Sequence, residues 1–507
     1  MKKIKKIVSL LLVMAMMFAM TTTAFAAEET YELTITGTVT GHKYAVYQIF
    51  TGDVSKEGEE LVLANVKYGT NYTPGETKVG DTVPETELKS LTEEFAQTVV
   101  VEGTAIQTVD STAEETVITN LPAGYYLVKD AKAVTGTDAY TKFILQVVGD
   151  TEIAVKSDVP TVIKKVQEDD KDVTETTDNR LPGYLILDNY NDVADYSIGE
   201  AVPFELIGTL PSNYEDYKTY KYVFHDTLSD GLVYKGDAKV YIDNVETENL
   251  FTVKYEDNAL TIEAADLKTN GAITKDSKIV VKYTATLTSD ATIGLNGNEN
   301  KVYLEFSNNP NKDGSGNTGT TPEDKVIVFT YALDVNKVAA DNANAKLEGA
   351  EFVLLNAAEN GKEALVVEGK FAGWADKGTT LITDTNGLIS IAGLDDGTYY
   401  LKETKAPVGY NLLEAPVKVE IIATTINNQK WAGDAKEAFK ALAVEVDDKA
   451  AGDGTLADGK VSIKVENNKG AILPSTGGIG TTVFYVAGIV MMFGAAVSIY
   501  SRKREEF

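Results

Sequence analysis

Residues 399–410 read Tyr-Tyr-Leu-Lys-Glu-Thr-Lys-Ala-Pro-Val-Gly-Tyr. The beginning of this stretch has the two-residue period of a strand that buries one of its faces. The period places Tyr399, Leu401 and Glu403 on the same face, so a carboxylate is expected among core side chains. Either Glu403 pairs with a surface lysine, or the acid has a chemical purpose inside a β domain.

Strand patterns continue on both sides of this stretch, over 324–470. One segment differs, because Phe439 and Leu442 have the spacing of a helix face and indicate a helical insert over 434–446. The sequence therefore predicts a β domain with one small helical insert.

A second β domain is predicted over 158–323, with three polar residues on strand faces that are otherwise apolar: Lys164, Asp226 and Asn300. Burying such groups costs several kcal/mol each unless they satisfy one another. A wet interior, or a face assigned wrongly by one residue, would remove the conflict. The remaining explanation is that the three groups react with one another.

The chemistry of such a reaction follows from burial. An apolar core lowers the pKa of a lysine and raises that of a carboxyl group, which leaves a neutral amine beside a protonated acid. The acid can polarise the asparagine carbonyl and transfer protons while ammonia leaves. The product is an amide between the lysine and the asparagine.

The N-terminal part of the chain begins with a segment typical of export. Residues 1–26 combine four lysines, a short apolar run and the small-residue end Ala24-Phe25-Ala26, which predicts a signal peptide cleaved after Ala26. Residues 27–157 then read as a first β domain, with a helix expected over 84–97. His42 is expected at the surface or in a turn.

The C-terminal part, 471–507, has the features of a stop-transfer tail. Leu473-Pro474-Ser475-Thr476-Gly477 precedes an apolar run over 483–500 and the basic triplet Arg502-Lys503-Arg504. The apolar run is just long enough to cross a bilayer core, and the basic triplet would stay on the cytoplasmic side. These features predict a transmembrane anchor.

Composition excludes several functional classes. The 507-residue chain has no cysteine, so it has neither disulfides nor thiol chemistry, and its two histidines give little material for zinc sites or histidine triads. Its formal net charge of −29 argues against nucleic acid as a partner. We therefore expect no metal, no cofactor and no enzymatic activity.

Several of these stretches carry a family resemblance. Residues 399–410 resemble the E-box of Cna B-type pilin domains, and 473–504 resembles the LPXTG cell-wall sorting signal of Gram-positive surface proteins. Residues 160–166, 225–232 and 298–302 are similar to the isopeptide-forming second domain of fimbrial proteins. The resemblance implies an all-β fold of three tandem Ig-like, Cna-type β-sandwich domains with small helical inserts.

The resemblance also implies roles for individual residues. In the second domain it implies a Lys164–Asn300 isopeptide promoted by Asp226, with Lys165 and Asn298 as the nearest competitors. In the third domain it implies a Lys337–Asn467 isopeptide promoted by Glu403, with Asn468 as a weaker alternative.

Sortase processing is implied by the same resemblance. The enzyme would cleave between Thr476 and Gly477 and join Thr476 to an amine. By position Lys156, at the junction after the first domain, would be the linking lysine of the neighbouring subunit. By default, however, a lysine in an acidic chain is a solvated side chain.

The function implied is that of a structural subunit in a covalently polymerised surface pilus that supports adhesion. Its expected partners are pilus-type and housekeeping sortases, other copies of itself, peptidoglycan and a host surface ligand. The alternative is a wall-anchored adhesin, or an ancillary tip or base pilin, that binds a host ligand and needs no linking lysine.

Overall fold

The computed structural model describes residues 29–38, 40–57, 60–88, 95, 99–131, 139, 142–154, 159–310, 317–429, 431–470 and 491–492. These residues form almost entirely β structure, which confirms the predicted all-β class. The strands fall into three consecutive groups.

The first group builds two sheets with a core between them. Its elements are β1 (Thr30–Thr38), β2 (Lys43–Glu57), β3 (Glu60–Tyr68), α1 (Glu85–Leu88), β4 (Gln107–Asp110), β5 (Glu114–Pro122), β6 (Gly124–Asp130), β7 (Lys142–Val147) and β8 (Thr151–Ala154). One sheet has the order β5-β1-β8 and the other β3-β2-β6-β7, with β4 beside β2. Helix α1 lies inside the predicted helix 84–97, most of whose remainder falls outside the described residues.

The second group forms two seven-stranded sheets. Its strands are β9 (Val162–Gln167), β10 (Tyr190–Asn191), β11 (Val193–Asp195), β12 (Ala201–Gly208), β13 (Tyr222–Leu228), β14 (Leu232–Tyr234), β15 (Lys239–Ile242), β16 (Val245–Thr247), β17 (Thr252–Glu256), β18 (Ala259–Ala264), β19 (Ile279–Leu287), β20 (Asn298–Ser307), β21 (Thr318–Thr320) and β22 (Asp324–Phe329). Short 3-10 turns lie at Tyr214–Asp216 and Leu267–Thr269. Strands β9, β12 and β19 face β13, β20 and β22 across one apolar core.

The third group is one twelve-stranded sheet that wraps around its own core, because strands throughout its order contribute to a single apolar cluster. Its elements are β23 (Tyr331–Ala339), β24 (Asn342–Lys346), β25 (Glu351–Leu355), β26 (Glu363–Val367), β27 (Lys370–Ala375), β28 (Leu381–Ile382), β29 (Leu388–Leu394), β30 (Gly397–Lys405), β31 (Val417–Thr425), α2 (Ala435–Ala438), β32 (Phe439–Val446), β33 (Lys449–Asp453) and β34 (Lys460–Asn467). Strand β34 returns to lie parallel to β23.

The helix predicted over 434–446 is wrong for most of its length. Only α2 is helical, and β32 pairs antiparallel with β31. The pairing shifts between Thr424↔Ala441 and Thr425↔Phe439, so one extra residue is inserted as a bulge. This bulge separates the buried Phe439 and Leu442 by three residues instead of two, which imitates the spacing of a helix.

Strand β22 joins the second and third groups. The sequence predicts that residues 324–329 belong to the third domain, but β22 pairs with β20 and with β11 in a sheet of the second group. Its alternate side chains enter different cores. Val326 and Val328 pack in the second group's core, whereas Ile327 and Phe329 pack in the third group's core. The two groups therefore share one strand.

Of the predicted membrane span 483–500, only Met491 and Met492 are described, and both are helical. Within the described part of the chain, no helix is long and apolar enough to cross a bilayer.

Candidate functional site

The second group brings Lys164, Asp226 and Asn300 together in its core. Lys164 lies on β9 of one sheet, while Asp226 on β13 and Asn300 on β20 belong to the facing sheet. Strands β13 and β20 are paired, with Asp226 opposite Val302 and Leu228 opposite Asn300. The lysine therefore reaches across the core towards two residues on neighbouring strands.

A single hydroxyl group connects the three side chains. The Lys164 ammonium donates to Asp226 and to the Tyr283 hydroxyl, with an Nζ to OH distance of 2.9 Å. Tyr283 donates to Asp226 Oδ1 at 3.1 Å and accepts from Asn300 Nδ2 at 2.7 Å. Sequence reasoning missed Tyr283. Its signal was a phenol at an inward position of β19, between Val281 and Ala285.

The environment of this cluster is dry. Lys164 and Asn300 are 0% exposed and Asp226 is 1% exposed. Burial lowers the pKa of Lys164, although Asp226 partly opposes this, and burial raises the pKa of Asp226. Both shifts favour the neutral amine and the protonated acid that amide formation requires.

The amide oxygen of Asn300 is buried and accepts no hydrogen bond from the described residues. An unsatisfied carbonyl oxygen in a core is costly. A proton on the Asp226 carboxyl group, which belongs to the same buried cluster, could satisfy this oxygen and thereby polarise the carbonyl.

The competing residues have other partners. Lys165 is buried on the opposite face of β9, with its Nζ 3.0 Å from Asp178 Oδ2 and 2.5 Å from Asp192 Oδ1. Asn298 accepts from the Thr292 amide at 2.9 Å and donates to the Val328 carbonyl at 3.2 Å. Neither residue has a contact with the Lys164 cluster among the described interactions.

The third group contains a second cluster of the same kind. Lys337 on β23 lies opposite Val465 of the parallel strand β34, and Asn467 lies two residues further along β34. The two side chains therefore share a face. The Nζ of Lys337 lies 3.7 Å from Glu403 Oε1 on β30 and donates to the Val465 carbonyl at 3.2 Å.

Glu403 contacts both members of this pair. Asn467 Nδ2 donates to Glu403 Oε2 at 2.9 Å, and the Leu413 amide donates to the same oxygen at 2.9 Å. Burial lowers the pKa of Lys337 to about 8. The oxygens Glu403 Oε1 and Asn467 Oδ1 are buried and accept no hydrogen bond from described residues. Asn468, the weaker alternative, is exposed.

The first group holds a buried hydrogen bond between a histidine and an aspartate. His42 Nδ1 lies 2.8 Å from Asp130 Oδ1. Of the two predicted settings for His42, the surface is wrong, because the residue is 5% exposed, and it directly follows a turn at residues 40–41. The backbone amide of His42 donates to the Ser111 hydroxyl at 2.9 Å, which holds the histidine in place.

The residues predicted for export and sortase processing lie outside the described part of the chain. They are the signal peptide 1–26, Lys156 and Leu473, Pro474, Ser475, Thr476 and Gly477.

Comparison with known proteins finds matches for two parts of the chain. A family model described as a prealbumin-like fold domain (SpaA) matches residues 332–434, and one described as an LPXTG cell wall anchor motif matches residues 465–506. The first spans β23 to β31 and includes Lys337 and Glu403, and the second begins just before Asn467.

Two curated relatives are similar to the chain. It is 25% identical over 430 residues to the trypsin-resistant surface T6 protein of Streptococcus pyogenes serotype M6, a match that covers 71% of each protein. It is 33% identical over 110 residues to fimbrial subunit type 1 of Actinomyces viscosus, covering 22% of this chain and 16% of the relative.

The fold is also similar to a solved structure, that of the T6 backbone pilin of serotype M6 Streptococcus pyogenes. The TM-score is 0.53 at 18% sequence identity, and the match covers 88% of this chain and all of the other. The proteins matched are structural subunits, not enzymes. The chain therefore has a prealbumin-like SpaA domain and an LPXTG cell wall anchor, and its similarity to the T6 protein supports a sortase-assembled backbone pilin of the Gram-positive type, a surface subunit anchored to the cell wall.

Proposed function

We propose that the subunit strengthens its pilus with two internal amides, Lys164–Asn300 and Lys337–Asn467, and joins its neighbour through Thr476 and Lys156. The observation that carries the proposal is the second-group cluster, in which one tyrosine hydroxyl contacts a buried lysine, a buried acid and a buried asparagine.

Each internal amide would form by a single exchange. The neutral lysine amine attacks the side-chain carbonyl carbon of asparagine, and the protonated carboxyl group stabilises the developing oxyanion. The C–N bond of the asparagine side chain breaks and ammonia leaves with the proton lost by the amine. Asp226 and Glu403 end with the proton count they began with, so each acid acts as a catalyst for one intramolecular event.

The positions of the amides suit a fibre under tension. The Lys164–Asn300 amide would connect the two sheets of the second group across the core. The Lys337–Asn467 amide would connect β23 at the start of the third group to β34 at its end. Pulling force would then pass largely through covalent bonds instead of strand hydrogen bonds. The chain has no cysteine, so disulfides cannot supply such cross-links.

The intact mass of the secreted protein tests the amides. Two amides predict a deficit of two ammonia molecules relative to the processed sequence. Tandem mass spectrometry of a digest should show Lys164 linked to Asn300 and Lys337 linked to Asn467. A mass without deficit would contradict the proposal. A deficit of one ammonia would contradict the amide at whichever of the two pairs the digest shows to be unlinked.

The intersubunit joint is tested separately. Sortase would form an acyl intermediate at Thr476 and release the segment from Gly477 onward, and the Lys156 amine would then displace the enzyme. Lys156→Ala should abolish the boiling-resistant ladder on a denaturing gel, while Lys254→Ala, which changes an exposed lysine, should leave it intact. A ladder that survives in Lys156→Ala would refute the role of this residue. If the chain were instead a tip pilin, a base pilin or a wall-anchored adhesin that binds a host ligand, neither the Lys156→Ala protein nor the Lys254→Ala protein would form a ladder.

A further inference from the structure

Seven carboxylates converge where the second and third groups meet. We call them the interdomain acidic cluster, which consists of Glu168, Asp169, Asp170, Asp195, Glu200, Asp395 and Asp396. The first five belong to the second group and the last two to the turn between β29 and β30 of the third. Oxygens of Glu168, Asp170 and Asp195 lie within 4.8 Å of one another, as do those of Asp195, Asp395 and Asp396 and those of Asp169, Glu200 and Asp395.

One lysine accompanies these acids among the described residues. The Nζ of Lys171 lies 2.9 Å from Asp195 Oδ1, 3.2 Å from Asp396 Oδ2 and 3.6 Å from Asp170 Oδ1. The described ion pairs give no cation to the trio of Asp169, Glu200 and Asp395. A single ammonium therefore leaves most of the negative charge of the cluster uncompensated.

Two buried carboxylate oxygens in this cluster also have no partner. Glu168 is 2% exposed, and its Oε2 accepts no hydrogen bond from the described residues. The Asp396 side chain is 8% exposed, and its Oδ1 likewise accepts no hydrogen bond from the described residues. Acids elsewhere in this joint are satisfied, since Asp192 accepts from both Lys165 and the Trp431 amide. Among the described acids of this joint, the buried oxygens that accept no hydrogen bond belong to Glu168 and Asp396, both members of the cluster.

We propose that the interdomain acidic cluster binds a divalent cation of the calcium type, with Asp195 as the central ligand, Glu168 as the ligand beside it from the second group and Asp396 as the ligand from the third group. Asp195 is suited to the central position because its carboxylate lies within 4.8 Å of acids from both sides of the joint. These are Glu168 and Asp170 of the second group and Asp395 and Asp396 of the third.

The chemistry of the ligands selects the metal. All seven side chains offer carboxylate oxygens and none offers nitrogen or sulfur, which suits a hard cation and disfavours zinc or copper. Calcium accepts six to eight oxygens at about 2.3–2.6 Å in variable geometry, so oxygens on opposite sides of one ion are about 4.6–5.2 Å apart. Magnesium demands a smaller, regular octahedron and is expected to bind more weakly.

Ion binding would displace Lys171. The Lys171 side chain is 27% exposed, so its ammonium has a path to solvent when a cation takes its place. Calcium would thereby bring the two groups of strands together with one ion.

The purified secreted protein provides the test. Calcium titrated into chelator-treated protein, followed by calorimetry, should show saturable binding with a dissociation constant of about 10⁻⁴ to 10⁻³ M. Calcium at tenfold this concentration should raise Tm by roughly 3–6 °C. Terbium should replace calcium and luminesce on tyrosine excitation, because the Tyr331 hydroxyl donates to Asp195 Oδ2 at 2.7 Å.

Matched variants localise the effect. Glu168→Gln with Asp396→Asn should abolish the calcium shift in Tm and reduce terbium luminescence at least tenfold, while retaining the wild-type circular dichroism spectrum. Glu256→Gln with Asp341→Asn changes two acids outside the cluster that pair with Lys254 and Lys469, and it should leave calcium binding unchanged.

Three results would overturn the proposal. The first is wild-type protein that shows no saturable calcium binding up to 10-fold above the expected dissociation constant of about 10⁻³ M. The second is binding that persists unchanged in the Glu168→Gln/Asp396→Asn protein. The third is a Tm that depends on pH but not on calcium, which would mean that protons alone neutralise the cluster. None of these measurements involves the internal amides.

Discussion

The Tyr283 hydroxyl group determines how the second-group cluster is arranged. It accepts hydrogen bonds from Lys164 and Asn300 and donates one to Asp226, so it uses its single proton and both lone pairs. These contacts hold the amine beside the acid and the asparagine. We infer that Tyr283 positions the reacting groups, whereas Asp226 supplies the proton.

Asp226→Ala should prevent the second-group amide, because no acid remains to polarise the Asn300 carbonyl. The intact mass should rise by one ammonia relative to the wild-type protein after correction for the substitution. The free energy of unfolding should fall by about 4–5 kcal/mol, the value expected for opening a covalent loop of more than a hundred residues. Glu305→Gln changes a partly exposed acid on β20 and should retain the full mass deficit. An unaltered deficit in Asp226→Ala would contradict the assignment.

The lowered pKa of Lys337 predicts a pH dependence in protein that cannot form the third-group amide. In Asn467→Ala, Lys337 has a folded-state pKa of about 8, against an ordinary value of 10.5. Between these values the unfolded chain binds more protons than the folded chain, so stability rises with pH across this window and the penalty is fully present below it. The gain should approach about 3 kcal/mol.

Chemical denaturation at pH 7 to 11 measures this gain. The double variant Asn467→Ala/Lys337→Met is the control, because it keeps every other titrating group and removes the lysine. If the free energy of unfolding depended on pH in the same way in both variants, a lowered pKa of Lys337 would be contradicted. Wild-type protein with the amide formed should follow the control, since an amide nitrogen does not titrate in this range.

At the scale of a single element, β9 carries two adjacent buried lysines with different tasks. Lys164 faces the second-group core, whereas Lys165 faces the joint and pairs with Asp178 and Asp192. The strand period explains this separation, because neighbouring side chains point to opposite faces. One strand thus supplies a reacting amine on one side and a structural cation on the other.

Replacing these lysines one at a time should give different results. Lys165→Met should keep the mass deficit but destabilise the protein by about 3–5 kcal/mol, since Asp192 would remain buried without its cation. In Lys164→Met the mass deficit should be smaller by one ammonia, because the second-group amide cannot form. Mass spectrometry and denaturation of both variants distinguish the two tasks. A lost deficit in Lys165→Met would show that the face of β9 has been assigned wrongly.

Sequence patterns predicted part of this architecture and site. Strand alternation placed Lys164, Asp226 and Asn300 inward, and the structure brings these residues together. The same reasoning missed Tyr283, because a tyrosine at an inward position is usually only a packing residue. It also mistook β32 for a helix, because a bulge changed the period. The acidic cluster could not be predicted, because five of its members lie between residues 168 and 200 and the other two are Asp395 and Asp396, and these two sets meet only when the second and third groups pack together.

At the scale of the whole molecule, the second and third groups are joined by more than β22. Gly294 and Gly459 approach so closely that a Cβ atom at Gly294 would lie 2.3 Å from the Gly459 nitrogen. The Leu295 amide also donates to the Leu456 carbonyl at 2.9 Å. This packing indicates that the two groups behave as one folding unit.

Scanning calorimetry should therefore show one transition for both groups. Gly294→Ala should split this transition or lower its temperature by several degrees, because the new methyl group would collide with backbone at Gly459. Gly236→Ala is a matched control, since Gly236 has a similar φ of +81° but open space where the Cβ would lie. Two separate transitions in the wild-type protein would contradict the single unit.

The two-faced packing of β22 has a consequence for how such pilins can evolve. A recombination event that exchanged the third group alone would bring in a new third-group core. The residues at positions 327 and 329 would then have to fit that new core, while Val326 and Val328 still had to fit the unchanged core of the second group. Substitutions along the four consecutive residues 326–329 thus have to fit two different cores. The second and third groups are therefore expected to be inherited together, and natural chimeras are expected to have their crossover points outside β22.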